Sequence, residues 1–431
     1  MTQTRRILVY ALLSLLYSVS AQNLTADQLN AVKQRLAEGA TQSWELGTRA
    51  QALTELDTPS YSVLTPDLTL PPPSSSPPSS LDEVFSIAQS IVANRSTSNN
   101  GTSGPQPFIA NAAAGDPPSV GVAVLLANWT GRGAQDNLDY AGAAQDQLEY
   151  LFNDVPHTSD GAISHRVEQL QLWSDFVYMV PPYMAYYGVL TDNQTLVSQS
   201  YEQIRLYRQY LRDEGAGGLW KHVLMGEWED QGHWSTGNAW AAAGICRVLG
   251  TIAASQFAKD MKNEQNDLAS WVNEIHAAMY PHMRSNGLFG NYADDNSTFD
   301  DASSATLLAS TVYRLALLWG THTYVPQAEQ ARQALFAPSS SSSSNNGSSL
   351  AHFTSDMWLT PVVNPDQFGD EGSQSPEGQA FVVELDAAWR DWVAAGSPGT
   401  SGSVVGLNEL AAGRWVWLVA AGTALGLTTL W

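Results

Sequence analysis

The sequence predicts an all-α fold, a closed or curved array of helical hairpins, and three observations carry that prediction. Segments with the i, i+3/i+4, i+7 spacing of apolar residues follow one another along most of the chain, while alternating strand patterns are almost absent. A turn motif recurs between them: Asp160-Gly-Ala-Ile-Ser-His165, Gly217-Gly-Leu-Trp-Lys-His222 and Asn286-Gly-Leu-Phe-Gly290 each follow one helical segment and precede another. Hairpins repeating at roughly 50 to 70 residues bury their apolar faces only against neighbouring hairpins, which makes an all-α toroid the natural architecture. Finally, a chain of 431 residues with 44% hydrophobic and 10% aromatic content has ample material for a large core.

Taken in order, Thr25 with Gln28 and Ser80 with Glu83 read as capping boxes that open helices over 26–56 and 81–94. The Pro/Ser run from Pro71 to Ser80 between them is an exposed connection. A polar stretch, Ser96 to Gln106, leads into the main body. There the spacing predicts helices over 118–129, 137–153, 167–179, 182–190, 194–213, 237–256, 266–280, 302–319, 325–336 and 376–394. The break between the third and fourth of these is placed at Pro181-Pro182, since proline is tolerated only in a first helical turn. The Ser/Asn tract Ser339 to Ser349 is a solvated insertion. This divides the chain into 1–21, 22–106 (N-terminal helices with the Pro/Ser linker), 107–396 (the helical-hairpin domain) and 397–431.

The charge balance narrows the function. Only 14% of residues are charged and the formal net charge is −22, which argues against nucleic acid or an anionic membrane surface as partner. An acidic chain rich in Trp and Tyr suits a secreted protein that handles neutral ligands such as sugars. Arg5 and Arg6 before the apolar run Ile7 to Tyr17, with Val19-Ser20-Ala21, read as a secretory signal peptide. Seven Asn-x-Ser/Thr acceptors, at Asn23, Asn94, Asn100, Asn128, Asn193, Asn296 and Asn346, agree with that route. The uncharged run Trp415 to Trp431, after Arg414 and the small residues Ser401 to Ser403, has the layout of a GPI-anchor signal; a short membrane-spanning helix is the alternative. Cys246, the sole cysteine, excludes an internal disulfide and sits in an apolar segment as a core residue. No HExxH, paired CxxC, P-loop or strand-preceded GxGxxG is present, so no metal or cofactor is called for.

One residue breaks the apolar pattern. Asp175 lies among Leu172, Trp173, Phe176, Val177, Met179 and Val180, and no Lys, Arg or His occurs between Arg166 and Arg205. Buried there, its carboxyl is raised by desolvation and becomes a proton donor usable near neutral pH. The competing assignment is a carboxylate that caps a backbone amide or pairs with a distant Arg. On an unbroken helix, Glu168 lies about 10 Å from Asp175 on the same face, long for a retaining pair of glycosidase carboxylates.

Five motifs, in order, resemble those of six-hairpin glycosidases. They are Asp160 to His165, Leu172-Trp-Ser-Asp-Phe-Val-Tyr-Met-Val-Pro-Pro182, Gly218-Leu-Trp-Lys-His222, His233-Trp-Ser-Thr-Gly-Asn-Ala-Trp240 and Ala302-Ser-Ser-Ala-Thr-Leu-Leu308. Over about 110–396 the chain is similar to the unsaturated glucuronyl and rhamnogalacturonyl hydrolases of glycoside hydrolase families 88 and 105. The resemblance implies an (α/α)6 barrel. It also implies a mechanism in which an Asp protonates the vinyl-ether double bond of a 4,5-unsaturated uronic acid and then activates the water that adds. Asp175 matches that acid/base and Asp116, opening the D-x-x-x-x-G run to Gly121, the second essential Asp. His165, Arg166, Trp173, His222, His233, Trp234, Asn238 and Trp240 take the substrate-binding places, with an oligosaccharide as partner and the membrane met only through the C-terminal anchor.

For these residues a plainer assignment stands beside the functional one. His222 and His233 serve equally as hydrogen-bonded loop residues, Trp234 and Trp240 as core, and Asp116 as the cap of the helix starting at Pro117. Two departures bear on the substrate. Thr236 stands where the family commonly has Arg, and Met225 where an Asp is expected after His222, with Glu227, Glu229 and Asp230 nearby. Two rival functions remain open: a mannan-active all-α glycosidase using Asp294-Asp295 or Asp300-Asp301, and a wall-anchored glycan binder without turnover.

Overall fold

The computed structural model of the chain describes residues 23–99, 101, 103–339 and 350–400. The expected signal peptide, the C-terminal run, and the acceptors Asn100 and Asn346 lie outside the described residues. Thirteen α-helices are present among the described residues: α1 Ala26–Gly39, α2 Ser43–Asp57, α3 Asp82–Ser98, α4 Gly121–Trp129, the short α5 Arg132–Asp136, α6 Tyr140–Asn153, α7 Phe176–Leu190, α8 Gln194–Leu211, α9 Ser235–Ala254, α10 Lys262–Met279, α11 Ala302–Trp319, α12 Val325–Leu335 and α13 Pro376–Ala394. Three two-stranded antiparallel ribbons join them, β1 Leu172–Trp173 with β2 Val223–Leu224, β3 Phe289–Gly290 with β4 Asp300–Asp301, and β5 Val362–Asn364 with β6 Gln367–Gly372. No described helix is long and apolar enough to cross a membrane.

Helix packing closes a ring. Around it run α2, the 3-10 turn Pro117–Val120 with α4, then α7, α9, α11 and α13, and α13 returns to α2. Outside it α1, α3, α6, α8, α10 and α12 back the inner helices. The sequence separates the two layers. Inner α9 is buried without interruption from Ser235 to Ile252, and α11 from Ala302 to Ala316. Outer α8 buries only Leu196, Val197, Ser200, Gln203, Ile204, Leu206, Tyr207 and Leu211, one stripe at helical spacing. This is the six-hairpin (α/α)6 barrel. Of the helices grouped by the sequence ahead of residue 107, α2 takes a place in the inner ring and α1 and α3 back it from outside.

Several local expectations are corrected. The segment 26–56 is two helices, because the Glu45 carboxylate accepts from the backbone amides of Thr41 and Gln42 at 2.8 and 2.9 Å and starts α2 afresh. Ser80 caps nothing: its Oγ pairs with the Thr58 hydroxyl at 2.6 Å, and α3 begins at Asp82. No helix spans 167–179, so Glu168 and Asp175 share no helical face; Val167 to Gln171 is loop and Asp175 immediately precedes α7.

Pro181 and Pro182 do not break the helix but lie inside α7. Pro182 cannot donate to the Tyr178 carbonyl, and the Arg247 guanidinium from α9 donates to that oxygen instead at 2.9 Å. The Val177 carbonyl, freed by Pro181, faces Gly244, where an added Cβ would lie 2.1 Å from it. Glycine is therefore required at 244 for α7 and α9 to approach.

Candidate active site

The inner helices alternate with outer ones, so they run in one direction and gather their N-termini at one end of the barrel. Trp44 opens α2, Asp116 precedes the turn leading to α4, Asp175 precedes α7, Trp234 precedes α9 and Glu377 lies in the first turn of α13. These residues line a cavity of about 270 Å³ with Asn111, Ala113, His165, Arg166, Trp173, Met179, His222, Trp240, Pro365, Asp366 and Phe368. Converging helix N-termini favour an anionic or strongly polar guest.

Backbone pairing brings the two aspartates together. Ala113 bridges Arg166 antiparallel, Gly115 N–H donates to the His165 carbonyl at 3.1 Å, and Val167 N–H to that of Ala112 at 3.1 Å. A Cβ at position 115 would lie 2.5 Å from His165 Nδ1, so only glycine admits the imidazole. His165 then stands between the acids, Nε2 3.5 Å from Asp116 Oδ1 and Nδ1 3.9 Å from Asp175 Oδ2. One oxygen of each aspartate and a nitrogen of His165 lie within 4.8 Å of one another, which also makes the trio able to hold a divalent cation after modest closing-up. Neither aspartate caps its helix with its side chain. The assignment of Asp116 as a helix cap is thereby excluded.

Burial pushes the Asp116 carboxyl well above its usual range, the negative charge of Asp175 pushes it further, and Arg166 only partly offsets both. Asp116 is thus a buried acid held toward its protonated form at the cavity. Burial lowers His165 to about 4 against the attraction of Asp175, so the imidazole is neutral at working pH. Asp175 Oδ1 and His165 Nδ1 are buried without hydrogen-bond partners, as befits groups that await a ligand.

An aromatic wall surrounds the acids. The Trp173 ring stacks on His165 at 4.8 Å and meets His222, Trp228 and Phe368 edge-on. Trp173 is held by β1–β2 pairing and by donation from Nε1 to Gln171 Oε1 at 2.8 Å. Trp234 leans on His222 at 4.5 Å and donates to Asn291 Oδ1 at 3.1 Å. Trp240, fully buried, packs edge-on against Tyr178 and Phe381 and reaches the cavity from below.

His222 is oriented by a carboxylate. Its Nδ1 lies 2.9 Å from Asp230 Oδ2, which also accepts from the Tyr292 hydroxyl at 2.6 Å. Burial raises Asp230, but these hydrogen bonds outweigh it and hold the carboxyl below its usual value. Nδ1 is therefore the protonated nitrogen, and the buried, unpartnered Nε2 offers a lone pair at the cavity wall. The carboxylate expected at position 225 comes instead from Asp230, carried across by the Val223–Asp230 backbone pair.

Two expected substrate-binding residues lie elsewhere. His233 does not line the cavity; its Nδ1 pairs with Asp294 at 2.8 Å and its Nε2 lies 3.6 Å from Asp213. Asn238 is fully buried and spends its amide on Trp220 N–H, Trp220 O and Trp234 O, all within 2.9 Å. It positions Trp234 and does not face the cavity. Thr236 is buried against Asp301 at 2.6 Å, away from the lining. The rival acids are likewise engaged: Asp300 pairs with Arg284 at 2.5 Å, Asp301 caps α11, and Asp295 closes a turn on Ser297. They form no acid pair at the cavity.

Trp44, Asp366, Phe368 and Glu377 were not legible as site residues. Trp44 and Glu377 look like ordinary first-turn residues, and Phe368 sits in a polar hairpin whose fold-back over the cavity is tertiary; Asn291 Nδ2 donates to its carbonyl at 2.8 Å.

The sequence model of glycosyl hydrolase family 88 matches residues 122–355, more than half of the chain. A search of curated proteins finds no significant match. Among solved structures, a possible member of glycoside hydrolase family 105 from Klebsiella pneumoniae superposes with a TM-score of 0.63 at 15% identity, covering 85% of this chain and 93% of that one. A family 88 glycosyl hydrolase from Bacteroides vulgatus gives 0.57 at 14% identity, covering 85% and 100%. The unsaturated glucuronyl hydrolase of Bacillus sp. GL1, described as responsible for glycosaminoglycan degradation, gives 0.54 at 11% identity, covering 86% and 96%. These structural likenesses establish the shared barrel, and the sequence match, over the region that holds His165, Asp175 and His222, places the chain in glycosyl hydrolase family 88 as a glycoside hydrolase.

Proposed function

We propose that the enzyme removes 4,5-unsaturated uronic acid residues from the ends of cell-wall oligosaccharides, of rhamnogalacturonan type, by hydrating the double bond. The observation that carries this reading is the Asp116–His165–Asp175 cluster in an aromatic cavity that also presents Arg166. Carboxyl oxygens within 4.8 Å of each other fall short of the ~6.5–9.5 Å at which an inverting pair accommodates its water. Burial and the neighbouring Asp175 push Asp116 toward its protonated form, and a vinyl ether requires a positioned acid.

In the reaction Asp175 delivers the proton to C4, the ring oxygen supports the cation developing at C5, and the same carboxylate takes a proton from the water that adds there. The resulting hemiketal opens and releases the second sugar without attack at the anomeric carbon. The water's proton returns Asp175 to its starting form; Asp116, pushed by burial toward its protonated form, lies beside it, and neutral His165 stands between the two. His222 Nε2 accepts from a sugar hydroxyl, Trp173 and Trp234 flank the ring, and the buried Arg166 Nε, which has no hydrogen-bond partner, is available to the substrate carboxylate.

Export to the cell surface belongs to the same proposal. It rests on the N- and C-terminal signals and on the exposure of the acceptors Asn94, Asn128, Asn193 and Asn296. The test is incubation with unsaturated rhamnogalacturonan disaccharides, following loss of the double-bond absorbance. Turnover abolished by Asp175→Asn supports the proposal; no turnover by the unaltered enzyme, with tight glycan binding, overturns it.

A further inference from the structure

Glu377 has no part in the scheme above, yet it lies on the cavity wall. It sits in the first turn of α13, is 3% exposed, and its Oε1 is buried without a hydrogen-bond partner. No lysine or arginine pairs with it among the described residues. The ionisable groups that act on it across space are all acids: Glu45 from α2, Asp301 from the head of α11 and Asp175 from the head of α7. Only the Trp44 side chain, through a hydrogen bond, favours its charged form. Across the same cavity stand Asp116, Asp366, His165 and the single cation Arg166.

An orphaned carboxyl in that setting is a donor in search of an acceptor. Trp44 serves the carboxyl, and Oε1 is left buried without a partner in a residue that lines the cavity. An acidic sugar entering a cavity lined by Asp116, Asp175, Asp366 and Glu377 with one guanidinium would be repelled unless some of these acids carry protons. Burial, followed by the charges of Glu45, Asp301 and Asp175, pushes the Glu377 carboxyl well above its usual range, overriding the helix N-terminus that would otherwise favour the anion. A neutral carboxyl facing a carboxylate makes a charge-assisted hydrogen bond; an ionised one repels it.

We propose that Glu377 is a specificity-determining residue that donates its carboxyl O–H to the carboxylate of the bound uronyl sugar and thereby selects acidic sugars at acidic pH. This deepens the proposed function and rests on its substrate class. The consequence is a gate on affinity: deprotonation of Glu377 replaces a donor by a like charge.

The test is equilibrium binding of glucuronate, and of its methyl ester as the uncharged control, followed by fluorescence of the cavity tryptophans from about pH 5 to about pH 8. Glucuronate affinity is expected to fall about 10- to 100-fold over that span while the ester's stays flat. In Glu377→Gln, isosteric and unable to titrate, the fall is expected to shrink to that left by Asp116. Thermal melting checks that the variant is folded, and the acid/ester contrast in the unaltered protein needs no variant. An ester that weakens in parallel with the acid, a Glu377→Gln profile superimposable on the parent, or no glucuronate binding at all overturns the proposal. Failure to turn over unsaturated disaccharides with the glucuronate gate intact would sink the activity reading and leave this one standing.

Discussion

Replacing Asp230 by Asn tests whether the orientation of His222 matters to the substrate. The carboxylate is held by three donors: His222 Nδ1 at 2.9 Å and the Tyr292 hydroxyl at 2.6 Å on Oδ2, and Gly232 N–H at 3.0 Å on Oδ1. Gly232 requires an acceptor, so in Asp230→Asn the carboxamide keeps its oxygen there and turns its NH2 toward His222 and Tyr292. Each bond on Oδ2 then drops from a charged contact of ~1.5–3 kcal/mol to a neutral one of ~0.5–1.5 kcal/mol, about 2–3 kcal/mol in total. With unfolding entropy near ~2.1 cal/mol/K per residue, a chain of this size melts about 3 °C lower. The catalytic effect is separate. Facing an amide donor, His222 Nδ1 must become the acceptor, so the proton moves to Nε2 and a donor replaces the lone pair at the cavity wall. A mismatched hydroxyl contact costs ~1–3 kcal/mol, or about 5- to 150-fold in kcat/KM, expressed chiefly in KM. Steady-state assay on unsaturated disaccharides gives the rate, and 15N chemical shifts of His222 give the tautomer. Tyr292→Phe, which leaves the Asp230–His222 bond in place, should change kcat/KM far less. If Asp230→Asn flips the tautomer and kcat/KM stays within twofold, the reasoning about His222 is refuted.

Three further outcomes follow from the same structure. Asp175→Asn and Asp116→Asn should each lower kcat by ~10²- to 10⁴-fold with binding of a saturated uronate largely kept, since each removes one of the two acids positioned at the cavity; near-normal kcat in either excludes that residue from proton transfer. For His165, the folded value of about 4 lies below the unfolded 6.5, so the unfolded chain binds the extra proton between these values and stability falls as pH drops through that window, by about 3 kcal/mol at its foot. Asp116 works in the opposite sense, its raised carboxyl favouring the fold at low pH, so urea denaturation of His165→Gln beside the parent, from pH 7 to pH 4, isolates the histidine part as a shallower decline in the variant. Arg314 is 2% exposed at the barrel centre, bonded to Glu55 at 2.9 Å and Asp391 at 2.6 Å; Arg314→Met strands both acids and should cost ~3–5 kcal/mol in denaturant unfolding, partly recovered by adding Glu55→Gln.

The amino-acid order was enough for the ring of hairpins, because an inner helix and an outer helix differ in a property that periodicity records. Segment 302–319, whose polar residues are small Ser and Thr apart from Arg314, became inner α11, and the striped 194–213 became outer α8, each within two residues of its expected bounds. Asp175 was legible for a related reason: a carboxylate in an apolar run has few structural explanations, and Asp116, His165, Arg166, Trp173, His222, Trp234 and Trp240 do meet at one cavity. What the sequence misplaced depended on partners distant along the chain. The prolines of α7 look like breakers until Arg247 arrives from α9 to serve the freed carbonyl. His233 and Asn238 look like site residues until Asp294 and the Trp220 backbone claim them.

By itself, then, the sequence determined the helical ring, the acidic and aromatic character of its open end, and which acid was out of place. Only the tertiary structure decided how the protons are distributed there, setting Asp116 beside the charge of Asp175, aiming His222 through Asp230, and turning the unremarkable first-turn Glu377 into the wall of the cavity. The physical reason is range. Helical periodicity is a property of neighbours within a few residues, whereas a carboxyl's protonation is set by the burial and charge of groups folded against it from the far side of the barrel.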